Sequence, residues 1–255
     1  MSEYKKYNHD LRLDGKTAIV TGGTSGIGKA SAQMLAEKGA NVVIVGRNPE
    51  IKDIARSLGE KVEGMRLDLR QEEEIKNVVQ AAAQKYGYID ILCNSAGVPS
   101  GVPAEEMTSE EFMQVIQVNL LGAFLMAREV GKVMIRGGKG GRIINIASDA
   151  GIVAVRNHVA YSASKAGLLA VTRTLALEWG GYGITSNAIS PTVVMTPMSR
   201  EYWKGERAEK HIAEIPAGRF GEMDEIASAV AFLASDGAQM INGHNLVIDG
   251  GFTVC

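Results

Sequence analysis

The chain predicts an α/β fold: one doubly wound parallel sheet of seven strands with helices on both faces. Three observations carry that prediction. Seven short apolar runs recur along the chain, and amphipathic helical patterns separate them. Stretches such as AIV and VVIV are continuously apolar rather than alternating, as strands buried on both faces are. No repeat, low-complexity tract or linker divides the 255 residues, a length that one α/β domain (1–255) readily fills.

The elements follow in order. KTAIVTGG reads as the first strand and GIGKASAQMLAEKGA as a helix closed by Gly39. NVVIVGR is the second strand, followed by a short helix over 50–58, and VEGMRLDL is the third. EEEIKNVVQAAAQKY is helical and leads to the strand IDILCNSAG. The long helical pattern SEEFMQVIQVNLLGAFLMAREVGKVMI precedes the strand GGRIINIAS. YSASKAGLLAVTRTLALEWG is a helix, ITSNAIS a strand, DEIASAVAFLAS a helix and NLVIDGG the last strand. Residues 191–220 form the one long irregular stretch, expected to be a flexible substrate lid.

Composition narrows the function classes. A net charge of −2 and a pI near 6.1 give no global positive field for nucleic acid or anionic membrane. No apolar run reaches the ~20 residues that span a bilayer, and the polar start MSEYKKYNHDLRLDGK lacks a signal core. Cys93 falls in a strand and Cys255 ends the chain, so no bridge is expected and a reducing cytoplasm fits. No His, Cys, Asp or Glu cluster has metal-ligand spacing, so no catalytic metal is expected.

TGGTSGIG lies between the first strand and its helix, with Thr24, Ser25 and Ile27 among its glycines. Gly22, Gly26 and Gly28 suit a tight turn, close approach of backbone to a pyrophosphate, and close helix–strand packing. The helix N-terminus then presents free N–H groups to phosphate. A glycine-rich connection without a ligand has the same pattern, so strand–turn–helix context decides. The second strand ends Val45-Gly46-Arg47-Asn48, without the carboxylate that usually holds adenine ribose hydroxyls. Arg47 can grip a 2′-phosphate bidentately, which favours NADP over NAD; as a solvent-facing charge it leaves the cofactor open. Asp68 is placed either to bind an adenine amino group or to cap the next helix.

Tyr161 and Lys165 stand four residues apart, on one face of a helix, with Ser148 thirteen residues upstream. An ammonium beside a phenol favours phenolate, and lowering a tyrosine from about 10 towards 7 takes roughly 4 kcal/mol. Alone, such a pair is usually a solvated helix face. Asn119 is mid-helix, where an asparagine is ordinarily an exposed polar residue; its neighbours Val118, Leu120 and Leu121 argue instead for a packed stretch and a buried amide in need of a partner.

With Asn94-Ser95-Ala96-Gly97, Asn119, Ser148 and Tyr161/Lys165 in this order behind a glycine-rich turn, the chain resembles the short-chain dehydrogenase/reductase family over about residues 11–251. The resemblance implies a Rossmann-type fold and hydride transfer between nicotinamide and an alcohol or carbonyl. It implies Tyr161 as acid/base, Ser148 as hydroxyl partner of the substrate oxygen, Lys165 on the nicotinamide ribose, and Asn119 holding a water that links Lys165 to solvent. Around the cofactor it implies Asp68, Leu69, Asn94, Ala96, Gly97, Pro191, Val194 and Thr196 besides the phosphate turn. Thr192 stands where the family commonly has glycine, so that turn cannot require a glycine-only conformation.

SPTVVMT, IPAGRFGEMDEIA and MINGHNLVIDGGFT resemble a sub-branch acting on small polyols, with glycerol- and threitol-type dehydrogenases and nearby L-xylulose reductases. Those polyol enzymes often carry an acidic residue where Gly46 stands, which sets the substrate expectation against NADP. His158 either bonds a second substrate hydroxyl or is a loop histidine bonded to backbone or water. Trp203 either closes over substrate or packs the lid or a subunit contact. A 3-oxoacyl-[acyl-carrier-protein] reductase needs a basic docking patch; Lys204, Arg207 and Lys210 are interleaved with Glu201, Glu206 and Glu209. A non-catalytic dinucleotide-sensing regulator predicts erosion of Ser148, Tyr161, Lys165 or Asn119, and all are present. Apolar residues on more than one face of the helices near Ser109 and Tyr161, with the resemblance, predict a homotetramer.

Overall fold

A computed structural model describes residues 11–254; the segment 1–10 and Cys255 lie outside the described residues. Its seven strands are β1 Thr17–Thr21, β2 Asn41–Gly46, β3 Val62–Arg66, β4 Ile91–Asn94, β5 Gly141–Ile146, β6 Ile184–Pro191 and β7 Asn245–Ile248. They form one all-parallel sheet in the order β3-β2-β1-β4-β5-β6-β7.

The five inner strands are buried on both faces because alternate residues enter opposite cores, whereas the edge strands β3 and β7 are partly exposed. Ala18, Val20, Val42, Ile44, Ile91 and Cys93 pack on one side, with α1 Gly26–Glu37, α2 Ile51–Leu58 and α9 Met223–Ala234. Ile19, Val43, Val45, Leu92 and Ile143 pack on the other, with α3 Glu72–Tyr86, α5 Ala123–Gly137 and α6 Val159–Trp179. Strand order reverses at β1, whose neighbours are β2 and β4, and this switch point opens a crevice beyond the carboxyl ends of the strands.

Local chemistry sets the helix ends. α3 starts with Glu72, Glu73 and Glu74, which favour its positive end, and stops at Gly87 in the left-handed region. α4 Ser109–Ile116 opens on a reciprocal capping box between Thr108 and Glu111.

Three expectations need correction. The long helix expected over 109–135 is broken by a π-helical turn, Gln117–Gly122, between α4 and α5. Hydrophobic periodicity cannot register one widened turn, and such turns gather at functional sites. The 191–220 stretch is not irregular: it holds α7 Pro197–Tyr202 and α8 Glu206–Ala213. α7 is started by Pro197 and by Thr196, whose hydroxyl accepts the Ser199 N–H. The helix expected from Tyr161 begins two residues earlier, at Val159, so Tyr161 lies in its first turn.

No helix among the described residues is long and apolar enough to cross a membrane.

Candidate active site

The expected residues gather at the crevice beside β1 and β4. Gly22, at φ +69°, turns the chain out of β1, and a Cβ there would lie 2.9 Å from the Ala96 backbone after β4. Thr21 ties the same two ends together, its hydroxyl accepting the Ser95 and Ala96 N–H groups at 3.0 and 3.1 Å. A Cβ on Gly28 would sit 2.4 Å from the Gly22 carbonyl oxygen, so α1 enters against the turn itself. Gly23, absent from the expectation, meets the Ile44 side chain at 2.6 Å on the same test. Ser25 caps α1 without using its side chain, and no acidic residue occupies the first turn. Free N–H groups and an uncommitted hydroxyl therefore face the crevice, and they fit a pyrophosphate. Thr196 comes over this turn, its methyl 3.3 Å from a Cβ built on Gly26.

Thr24 lies within about 4 Å of a Cβ built on Gly46, at the end of β2. Arg47 follows, exposed and with no ion pair among the described residues, although its charge reaches Asp68. The Arg70 guanidinium grips Asp68 and, helped by the Arg70 N–H and Arg47, holds its carboxyl down to about 2. Asp68 thus keeps its charge but spends it on Arg70, and the cap of α3 is Gln71. Leu69 is buried against the π-turn at Gly122. Asn94 turns inward, donating to the Ala123 carbonyl and Asn145, which donates on to Thr172. Its amide braces α5, β5 and α6, while Ala96 and Gly97 face the crevice.

Asn119 occupies the π-turn and is buried. Its side chain clamps Val98 at two points, accepting the N–H at 2.8 Å and donating to the carbonyl at 2.9 Å, and donates to Ser164 at 3.2 Å. A Cβ on Gly97 would lie 3.4 Å from Asn119 Oδ1 and 3.7 Å from Lys165 Nζ, so the glycine leaves that space open. Ser164, one turn past Tyr161, ties the clamp to α6 through the Tyr161 carbonyl at 2.6 Å.

Ser148 lies two residues past β5. It accepts the Ala150 N–H at 3.2 Å and donates to Asp149 at 2.9 Å. Lys165 is buried and donates to the Ile146 carbonyl at 2.7 Å, with Nζ 5.5 Å from the Tyr161 ring centroid. Burial lowers its ammonium to about 8. Tyr161 is half-buried and, contrary to the expected downward pull of Lys165, is pushed up to about 12. Burial is the main cause; Asp149 adds to it, and a hydrogen bond with Ser148 opposes it. Helical spacing puts Tyr161 and Lys165 on one face, with the ammonium over the ring and hydrogen-bonded to a strand carbonyl.

His158 presents its ring edge to Tyr161 at 6.1 Å, and its Nδ1 lies 2.6 Å from the Arg156 carbonyl, as a loop histidine would. Asn157 before it holds φ +63°, a left-handed conformation asparagine tolerates. Trp203 stacks on His211 at 4.8 Å and tilts against Phe220, so it packs the α7–α8 segment itself. Thr192 keeps an ordinary backbone; only Leu11 and Asn157 are non-glycine residues at positive φ among the described residues. Beyond Pro191, Val194 is buried and bridges to Gly221, anchoring the segment that carries Thr196. Thr21, Asn145, Asp149 and Ser164 escaped the sequence reading; only Asp149 and Ser164 stood close enough to expected residues to signal a role.

A family profile described as enoyl-(acyl carrier protein) reductase matches residues 22–253. An NAD-dependent glycerol dehydrogenase of Listeria innocua serovar 6a is 43% identical over 252 residues, covering 98% of this chain and 99% of the relative. A D-threitol dehydrogenase of Mycolicibacterium smegmatis is 47% identical over 249 residues, covering 96% and 95%. The crystal structure of a protein described as an NAD(P)-dependent gluconate 5-dehydrogenase from Beutenbergia cavernae, with NADP bound at low occupancy, superposes with a TM-score of 0.91. Its identity is 37% and coverage is 96% and 99%.

Proposed function

The chain belongs to the short-chain dehydrogenase/reductase family and is an oxidoreductase acting on CH–OH groups; on that premise we propose that it interconverts a secondary alcohol and a ketone on a small polyol or ketose. The observation that carries this is the meeting of Ser148, Tyr161, Lys165 and Asn119 beside the glycine turn at the switch point. A nicotinamide cofactor bound there would supply or accept the hydride. The glycine turn and α1 would hold its pyrophosphate, Thr196 and Lys165 its nicotinamide half, and Arg47 the adenosine end.

Tyr161 gives its phenol proton to the carbonyl oxygen in reduction and takes the alcohol proton in oxidation. Ser148 steadies that oxygen as negative charge grows on it. Lys165 fixes positive charge beneath the ring, and Asn119 holds the Val98 loop that walls the site. Exposed Arg47, free of ion pairs among the described residues, supports NADP over NAD. Relatives include one named for NAD and one crystallised with NADP, so Arg47 carries the choice.

The names of the relatives support a polyol over a carrier-bound acyl chain. Of the three residues of a basic patch that an acyl carrier would need, Lys204 pairs with Glu201 at 3.0 Å and Lys210 with Glu206 at 2.7 Å, while Arg207 lies over the Tyr202 ring. On this reading the enzyme works in the cytoplasm as a homotetramer, with α7–α8 as its substrate lid. Exposed Met113, Leu121 and Leu177 on the α4–α6 helices support the assembly, and a monomer on size-exclusion chromatography would refute it.

The test is a spectrophotometric screen of glycerol, tetritols, pentitols, hexitols and acetoacetyl thioesters with both cofactors. Polyol turnover should lead, and Tyr161→Phe should abolish it while cofactor binding persists. Variant activity within about tenfold of wild type overturns the assignment.

A further inference from the structure

Ser164 stands between Tyr161 and Lys165 on α6 and has no part in the chemistry above. It is fully buried, and its hydroxyl donates to the Tyr161 carbonyl, three residues back, at 2.6 Å. On its own that bond is the ordinary habit of a helical serine. A second partner sets this serine apart: Asn119 Nδ2, on the π-turn 117–122, donates to the same oxygen at 3.2 Å. Ser164 has one proton, and the Tyr161 carbonyl can only accept it, so the serine oxygen meets Asn119 as an acceptor. The amide therefore turns its NH2 end to α6. Its Oδ1 stays on the Val98 N–H at 2.8 Å, in the space that Gly97 leaves open towards Lys165 Nζ.

The hydrogen bond has an apolar companion. Gly167, three residues further along α6, makes room for Leu120 of the same π-turn, since a Cβ there would lie 2.8 Å from Leu120 Cδ2. Leu120 presses the turn onto the helix, but apolar contact has no direction. The directional link is the bond from Asn119 to Ser164, the only hydrogen bond between the π-turn and α6 among the described residues. Asn119 and Val98 hold each other by two hydrogen bonds and so move as a pair. Ser164 is what ties that pair to the helix carrying Tyr161 and Lys165.

We infer that Ser164 is a positioning residue: its hydroxyl pins the Asn119–Val98 pair to α6 and so fixes the wall of the site against Tyr161 and Lys165. This rests on the assignment of Tyr161, Lys165 and Asn119 above and adds a residue that assignment does not use. A wall displaced by a fraction of an ångström misplaces the reacting carbon, which lowers the rate more than it weakens cofactor binding.

The experiment compares wild type, Ser164→Ala, Asn119→Ala and the double variant. Alanine suits a helix interior and leaves the Asn119 amide both its Val98 partners, so Ser164→Ala should melt within about 4 °C of wild type. Amide exchange at Val98 should quicken by about three- to tenfold in Ser164→Ala, while β1 amides stay protected. With a polyol that the wild type turns over, kcat/KM should fall by about tenfold or more at unchanged cofactor affinity. Because Ser164 acts through Asn119, the double variant should match Asn119→Ala in both measurements, whereas a merely structural serine would add its own loss. Unchanged Val98 exchange, unchanged kcat/KM, or losses that add in the double variant overturn the proposal. Exchange is read without substrate, so if the polyol assignment fails, the exchange cycle alone decides. If Ser164→Ala does not fold, Ser164→Cys, whose thiol bonds hydrogen only weakly, is read the same way.

Discussion

Replacing Lys165 with methionine should stabilise this protein at neutral pH while ending its activity. The ammonium is 4% exposed and has one hydrogen-bond partner, the Ile146 carbonyl. Burial lowers it from 10.5 to about 8. That difference corresponds to roughly 3 kcal/mol against the folded state below pH 8. Between about 8 and 10.5 the unfolded chain binds more protons than the folded one, so wild-type stability rises with pH across that window. Methionine matches the stem of lysine without its charge, and losing the donor to Ile146 takes back about 1 kcal/mol. The net gain is therefore about 2 kcal/mol at pH 7 and close to zero near pH 10. Urea unfolding of both proteins at fixed protomer concentration, at pH 7, 8.5 and 10, reads this directly. Other titrating groups cancel in the difference. A variant less stable than wild type at pH 7, or a gain that does not change with pH, refutes the reasoning.

Three further outcomes follow from named contacts. Gly28→Ala puts a methyl 2.4 Å from the Gly22 carbonyl oxygen, where neither backbone can retreat. Thermal unfolding should fall by about 5 °C, for a loss of roughly 2 kcal/mol, and cofactor titration should weaken in parallel. Asn119→Ala frees Val98 from both hydrogen bonds; exchange at the Val98 amide should accelerate about tenfold or more, while β1 amides stay protected. Arg47→Ala should lower kcat/KM with NADP by about tenfold or more and leave NAD nearly unchanged. An unchanged NADP/NAD ratio removes Arg47 from cofactor choice.

The sheet was legible because burial on both faces imposes a composition that survives without context: Val42 to Val45 can belong only to an interior. The helix breaks were not. The π-turn at 117–122 inserts a single wide turn into a pattern whose apolar spacing continues on both sides. Its cause is tertiary, since Asn119 must reach Val98 and Gly122 must let the Leu69 side chain close, 2.8 Å from a Cβ built there. α7 and α8 were missed for the opposite reason. α8 buries no residue fully, so its helical period has no continuous apolar stripe to announce it. It is held instead by Trp203, His211 and Phe220, aromatic contacts scattered across 18 positions.

The site divides along a similar line. Residue identity and order located Ser148, Tyr161 and Lys165 because one helical turn and one strand end fix where they fall. Their electrostatics were not legible, because desolvation depends on what surrounds a group and not on its sequence neighbours. Lys165 next to Tyr161 suggests an easily ionised phenol; burial and Asp149 make it a reluctant one. A phenol held near 12 stays protonated through the neutral range, so it can donate to a carbonyl oxygen without first recruiting a proton. Alcohol oxidation needs the reverse, a phenol ready to accept. The surroundings of Tyr161 therefore bias the direction in which the site works at neutral pH.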